Sequence, residues 1–196
     1  ITFSTQEDDL DASKSYLELS NREEAMVEEV TNDFDNVIVV INSSPSMELG
    51  WVDQYKNING VLWCPSPGQV GFEALGQILS GEVNPSGHTV DTFVYDLLDT
   101  PYINNFGSFR YTDYADVTGS EENPVPFVNY NEGIYVGYKF YETAAAEGLI
   151  DYDSVVQYPF GYGLSYTDFD ASIANVNDDG KTISVDVDVK NVGQVA

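Results

Sequence analysis

Reactive side chains are scarce in this sequence. Its 196 residues include one cysteine, Cys64, and one histidine, His88. A single thiol leaves no internal disulfide and no thiolate metal cluster, and a single imidazole argues against a histidine-based zinc site. Cys64 follows Trp63 at the end of an apolar run, where a small buried side chain is expected. His88 lies in NPSGHT, a turn-like setting that suits a structural or solvated role. Basic residues are few: 7 Lys and Arg stand against 33 Asp and Glu, for a formal net charge of −26. Such a surface repels phosphate backbones and anionic lipid, which argues against nucleic-acid and membrane partners. Long apolar runs are missing as well. The strongest, VIVVI at 37–41, is far short of the roughly 20 residues needed to span a bilayer. Ile1 opens the chain without a methionine or a secretory leader, so the sequence reads as an internal piece. Its compartment, secreted or cytoplasmic, is unknown from this end.

What is present argues for a folded protein, since 42% of the residues are hydrophobic. Residues 1–16 are polar, acidic and aperiodic, and read as loop. In the following LELSNREEAMVEEVTNDF, Ser20 and Glu23 form a capping box. Leu19, Glu23, Met26, Val27, Val30 and Phe34 recur at helical spacing, which predicts a helix ending near Asp33. VIVVI then reads as a strand buried on both faces, and VLWC at 61–64 as a second short buried strand. A helix follows, with Phe72, Leu75, Gly76 and Leu79 on one face and a stop at Gly81. Helix, strand, connection, strand and helix in this order predict an α/β layer with parallel strands. The loops leaving the carboxyl ends of such strands border the ligand crevice. That makes Ser43, Glu48 and Gln69, in SSPSMELGW and CPSPGQ, candidates to face a pocket or partner.

From 100 to 142 the chain is rich in Tyr, Phe and Asn and poor in aliphatics, and reads as a long loop. Rings interspersed with amides and acids suit sugars, whose C–H faces stack on rings while their hydroxyls need polar partners. The tail differs again. TISVDVDVK alternates strictly, with Ile183, Val185, Val187 and Val189 on one face, and Asp179-Gly180 before it signals a hairpin. This predicts a half-exposed antiparallel sheet. Between the two regions, YPFGYGLSYTDF at 158–169 reads as a junction of aromatic cement and permissive glycines.

Four stretches in order carry a resemblance: VIVVINSSPSMELGWVDQY, NPSG at 84–87, NEGIYVGYKFYET at 131–143 and YPFGYGLSYTDF. Together they closely resemble the carboxyl-terminal part of glycoside hydrolase family 3 enzymes, which include many β-glucosidases. The resemblance implies a mostly parallel α/β sandwich domain over 1–163. It also implies a linker and the truncated start of a fibronectin type III-like, all-β domain over 164–196. The implied activity is retaining hydrolysis of a terminal β-linked glucose from oligosaccharides or glucosides. That chemistry needs two carboxyl groups and no metal or organic cofactor.

The family's nucleophilic aspartate belongs to a β/α barrel domain, and nothing in this chain carries that motif. The implied partner is therefore the barrel of the same polypeptide, which precedes or follows this piece. Many members take their acid/base glutamate from a sandwich-domain loop just upstream of the first helix, in a motif like G-E-G-x-D. The corresponding stretch here, STQEDDLDASKSYLELS, lacks the glycines and the Asp-Arg pair. Glu7 is the candidate proton donor. If the family's Asp-Leu pair matches Asp9-Leu10, the position falls on Gln6, whose neutral amide cannot exchange the proton. The alternatives are a non-catalytic carbohydrate-binding or scaffold domain, and β-xylosidase specificity within the same chemistry.

Overall fold

The computed structural model describes residues 17–103, 109–119, 127 and 129–195. The chain divides into two compact units, one of Ile1–Ser66 with Thr89–Gly161, the other of Pro67–His88 with Tyr162–Ala196.

The first unit starts at helix α1 (Asn21–Asp33), and its capping box is present. The Glu23 amide donates to Ser20 Oγ at 3.4 Å, while the Ser20 amide donates to Glu23 Oε2 at 2.7 Å. Two donors left over by the first turn are thus satisfied by one residue pair. Strand β1 (Val37–Ile41) follows, and runs parallel to β2 (Ile58–Trp63). The connection between them holds a short 3-10 turn, Gly50–Gln54, rather than a full helix. β1 is covered on one face only: Val39 and Ile41 are buried, while Ile38 is 55% exposed. Cys64 follows β2, half-buried with a free thiol, and its amide donates to the Ile41 carbonyl at 2.7 Å.

A second pair, β3 (Phe93–Val94) and β4 (Val156–Tyr158), is antiparallel. The architecture is therefore mixed α/β; a mostly parallel sheet was expected, whereas among the described residues parallel pairing is confined to β1 and β2. Between β3 and β4 the chain passes, among the described residues, through three α-helices and returns antiparallel. The stretch 100–142, expected as loop, contains α3 (Tyr114–Thr118) and the start of α4 (Tyr138–Ala146); α5 (Tyr152–Val155) leads into β4. Aromatic residues hid the period of α4, whose buried side chains Tyr141 and Ala144 lie three apart.

Two apolar clusters hold this unit together. One joins Leu19 and Val27 to Val39, Ile41, Met47, Leu49, Val52 and Phe93. The other joins Val94 and Leu97 to Tyr141, Val155 and Val156. Phe93 is 2% exposed and meets Trp63 edge-on at 5.3 Å and Tyr158 at 6.3 Å, so it links both strand pairs. Burying a side chain of this size contributes about 1.5–3 kcal/mol.

The second unit carries α2 (Gly71–Leu79) and a hairpin of β5 (Phe169–Asp178) with β6 (Ile183–Asn191). The Asp179-Gly180 turn forms as expected. Gly180 has φ +80°, and Asp179 Oδ1 accepts from the amides of Lys181 and Thr182 at 2.8 and 2.7 Å. Those two bonds hold the Asp179 carboxyl below its usual pKa. The hairpin was expected to bury one face. Instead Ile183, Val185, Val187 and Val189 are all exposed, because two strands alone provide no second layer to cover them. Likewise no residue of α2 is buried, although its apolar stripe has the expected spacing.

Two of the quoted motifs meet in this unit. Asn84 Oδ1, from NPSG, accepts from the Tyr166 amide at 2.8 Å and from Ser165 Oγ at 3.1 Å. The Tyr166 hydroxyl donates to the Ile78 carbonyl at the end of α2, 2.9 Å away. Gly163 sits so close to the other motif that a Cβ there would lie 2.5 Å from the Gly87 carbonyl oxygen. Backbone, unlike a flexible side chain, cannot give way cheaply. Gly163→Ala is expected to destabilise this unit by about 1–3 kcal/mol, the usual cost of overpacking. Amide hydrogen exchange in β5 and β6 checks this, with faster exchange expected there and unchanged exchange in β1 and β2.

Candidate functional site

The loop leaving β1 is pinned to the loop leaving β2. Asn42 Oδ1 accepts from the Ser66 amide at 3.1 Å, and the hydroxyls of Ser44 and Ser66 lie 2.9 Å apart. Ser66 holds φ +46°, a region that non-glycine residues seldom occupy. Ser43, a candidate from sequence, is buried: its hydroxyl donates to the Pro45 carbonyl and its carbonyl accepts from Trp63 Nε1 at 2.8 Å. Its role is to set the loop, not to face a ligand.

Glu48 does face an opening. A cleft of about 400 Å³ is lined by Glu18, Leu19, Glu24, Glu48, Gly50, Trp51, Gln54 and Tyr95. The backbone brings its walls together, because the Glu48 amide donates to the Leu17 carbonyl at 2.9 Å. Glu48 Oε1 accepts from the Leu97 amide at 2.8 Å, which fixes the carboxylate. Burial pushes the Glu48 carboxyl above its usual pKa against that hydrogen bond, and the charges of Glu18 and Asp96 add to the rise.

Tyr95 forms a rigid part of the wall. A Cβ on Gly50 would sit 3.0 Å from Tyr95 Cδ1, so the ring lies against bare backbone. The Tyr95 hydroxyl donates to Asp53 Oδ2 at 3.2 Å, and the same oxygen accepts from Gln157 Nε2 at 3.1 Å. Gln157 Nε2 also reaches the Leu49 carbonyl at 3.1 Å. Burial first, then the Asp53 charge, raises the Tyr95 pKa, so the hydroxyl stays a donor. Two aromatic rings beside carboxylates and an amide can stack on a pyranose face while accepting hydrogen bonds from its hydroxyls.

Of the site candidates named from sequence that fall among the described residues, Glu48 lines this cleft and Ser43 and Gln69 do not. Gln69 is exposed in the other unit, before α2. Glu7 and its alternative Gln6 lie outside the described residues. Sequence reasoning missed Trp51 and Tyr95. Trp51 carried a signal, a ring in the loop leaving a predicted parallel strand, whereas nothing local marks Tyr95.

Comparison with known proteins places this geometry. Residues 2–138 match the Glycosyl hydrolase family 3 C-terminal domain. A thermostable β-glucosidase B of Acetivibrio thermocellus is 33% identical over 187 residues, covering 93% of this chain and 21% of the relative. A β-glucosidase structure from Paenibacillus barengoltzii superposes with a TM-score of 0.77 at 30% identity, covering 96% of this chain and 19% of that one. The structure of β-glucosidase 3B from Thermotoga neapolitana in complex with α-D-glucose gives 0.71 at 31% identity, covering 90% and 22%. The fold is the mixed α/β unit of these glycoside hydrolases. The chain belongs to glycoside hydrolase family 3 and matches its C-terminal domain. It spans about a fifth of the length of the relatives it matches.

The raised Glu48 pKa has a signed consequence. A carboxyl that binds its proton more tightly in the folded state favours folding at low pH. That contribution is lost as pH rises from the unfolded pKa through the folded one. Glu48→Gln keeps an oxygen for the Leu97 amide and removes the charge. The variant is therefore expected to unfold at a higher temperature than wild type at pH 7, with the difference shrinking toward pH 4. Thermal unfolding across that range measures both.

Proposed function

We propose that this chain supplies the acid/base loop and one wall of the sugar pocket of a retaining β-glycosidase of the β-glucosidase type. The observation that carries the reading is the family match combined with relatives named as β-glucosidases over more than 90% of the chain. The nucleophile belongs to a barrel domain of the same polypeptide, and the substrate is a glucoside or oligosaccharide with a terminal β-linked glucose. Glu7 gives the proton to the leaving oxygen and then takes one from water; two carboxyl groups suffice for both steps. Residues 1–163 form the sandwich domain in this reading, and 164–196 the linker and first strands of a fibronectin type III-like domain. In support, Glu18 and Leu19 of the cleft wall follow the acidic segment 1–16 directly in sequence.

The test uses the complete polypeptide. Glu7→Gln is expected to lower kcat about 10²–10⁴-fold on an aryl β-glucoside with a poor leaving group. Added azide should restore turnover on an activated substrate, with a glycosyl azide as product. An unchanged rate on the poor substrate would remove Glu7 from the mechanism. The Trp51–Tyr95 cleft favours a second reading, a carbohydrate-binding or scaffold domain without chemistry. Calorimetric titration of the 196-residue chain with glucose and cellobiose separates the two. The enzyme reading expects no binding until the barrel completes the pocket, and tight binding by this chain alone supports the module.

A further inference from the structure

A second, small and partly open space lies in the first unit, and Leu97, whose amide holds Glu48, is among its lining residues. Its volume is about 30 Å³, and its lining includes Ser46, Asp91, Thr92, Thr100, Gly137 and Tyr141. Thr92 is only 6% exposed, and its Oγ1 is buried without a hydrogen-bond partner. Its backbone is accounted for locally, since the Thr92 amide donates to Asp91 Oδ1 at 2.8 Å. The hydroxyl is the group left over. Buried hydroxyls are nearly always paired, by protein or by ordered water.

The start of a helix borders the same space. Helix α4 spans nine residues, and its N-cap, Gly137, has no side chain with which to cap the first turn. Gly137 is also part of the cavity lining. The lining also holds a carboxylate: Asp91 Oδ2 accepts from Ser46 Oγ at 3.1 Å.

The size and chemistry of the space select one kind of occupant. A cavity must offer roughly 10–15 Å³ of probe-occupied volume to hold a water, so this one takes one or two and nothing larger. A cation would face the positive end of α4, and an anion would face Asp91. A neutral molecule that both donates and accepts meets neither objection. We propose that an ordered water occupies this cavity, hydrogen-bonded to Thr92 Oγ1, and acts as a fixed part of the fold. It joins three segments distant in sequence: the loop leaving β1 at Ser46, the approach to β3 at Asp91 and Thr92, and the start of α4 at Gly137. These include the SSPSMELGW and NEGIYVGYKFY stretches, so the water ties the floor of the aromatic-rich region to the loop that carries Glu48.

The sign of one substitution tests this in the full 196-residue chain. Thr92→Val keeps the shape and removes the hydroxyl. If the water is present, it loses a partner, and Tm falls by about 2–4 °C. If the cavity is dry, the change deletes an unpaired polar group, and Tm stays level or rises. Thr92→Ser retains the hydroxyl and is expected to remain above the valine variant. A crystal structure of the wild type should show a density peak within hydrogen-bonding distance of Thr92 Oγ1. A level or raised Tm in Thr92→Val, or an empty cavity in the crystal, overturns the proposal. So does a Tm that changes when choline replaces sodium at constant ionic strength, since that would assign the site to a cation.

Discussion

The first unit depends on the burial of one ring. Phe93 comes from a strand of two residues, too short to be stable through its own ladder, and is held by what surrounds it. Trp63 from the parallel pair and Tyr158 from the antiparallel pair both pack edge-on against it. With Ile41 and Met47 it forms the driest part of the molecule. Neither strand pair could bury enough apolar surface alone. The ring packs the two separate sheets against each other, with residues near 50, 95 and 157 close by.

That convergence is what shapes the cleft. Tyr95 follows Phe93 by two positions, and Gln157 precedes Tyr158 by one, so the polar side chains emerge beside the aromatic contact. Asp53 then gathers Tyr95 and Gln157 on a single carboxylate oxygen. The outcome is a wall whose polar atoms are positioned before any ligand arrives, which is the condition for selective recognition of a hydroxyl-rich molecule. The chain's many acids fit this picture in one place, where Glu48 is held by a backbone amide at the cleft.

Features with local causes could be read from sequence. The Ser20–Glu23 capping box and the Asp179-Gly180 turn each need only a few neighbouring residues, and both formed. The parallel β1–β2 pair was legible from its β-branched runs. Extent of burial was not, because it depends on neighbours that no local pattern specifies: Ile38 and the valines of β6 are apolar yet exposed. Helix α4 was hidden by its aromatic residues. The cleft stayed invisible for a different reason. Its members lie at 18, 19, 24, 48, 50, 51, 54 and 95, and tertiary contacts such as the Glu48–Leu17 backbone bond and the packing around Phe93 assemble them. The motif resemblance pointed to the family more directly than any pattern of hydrophobicity did.

The central claim is that the two strand pairs of the first unit form one cooperative unit packed through Phe93. Native-state hydrogen exchange in graded denaturant measures this directly. The account predicts that the Cys64 amide, bonded to Ile41, and the Tyr95 amide, bonded to Val155, are released in the same opening step with the same free energy. Release of the Tyr95 amide at much lower denaturant, while the Cys64 amide stays protected, would contradict it.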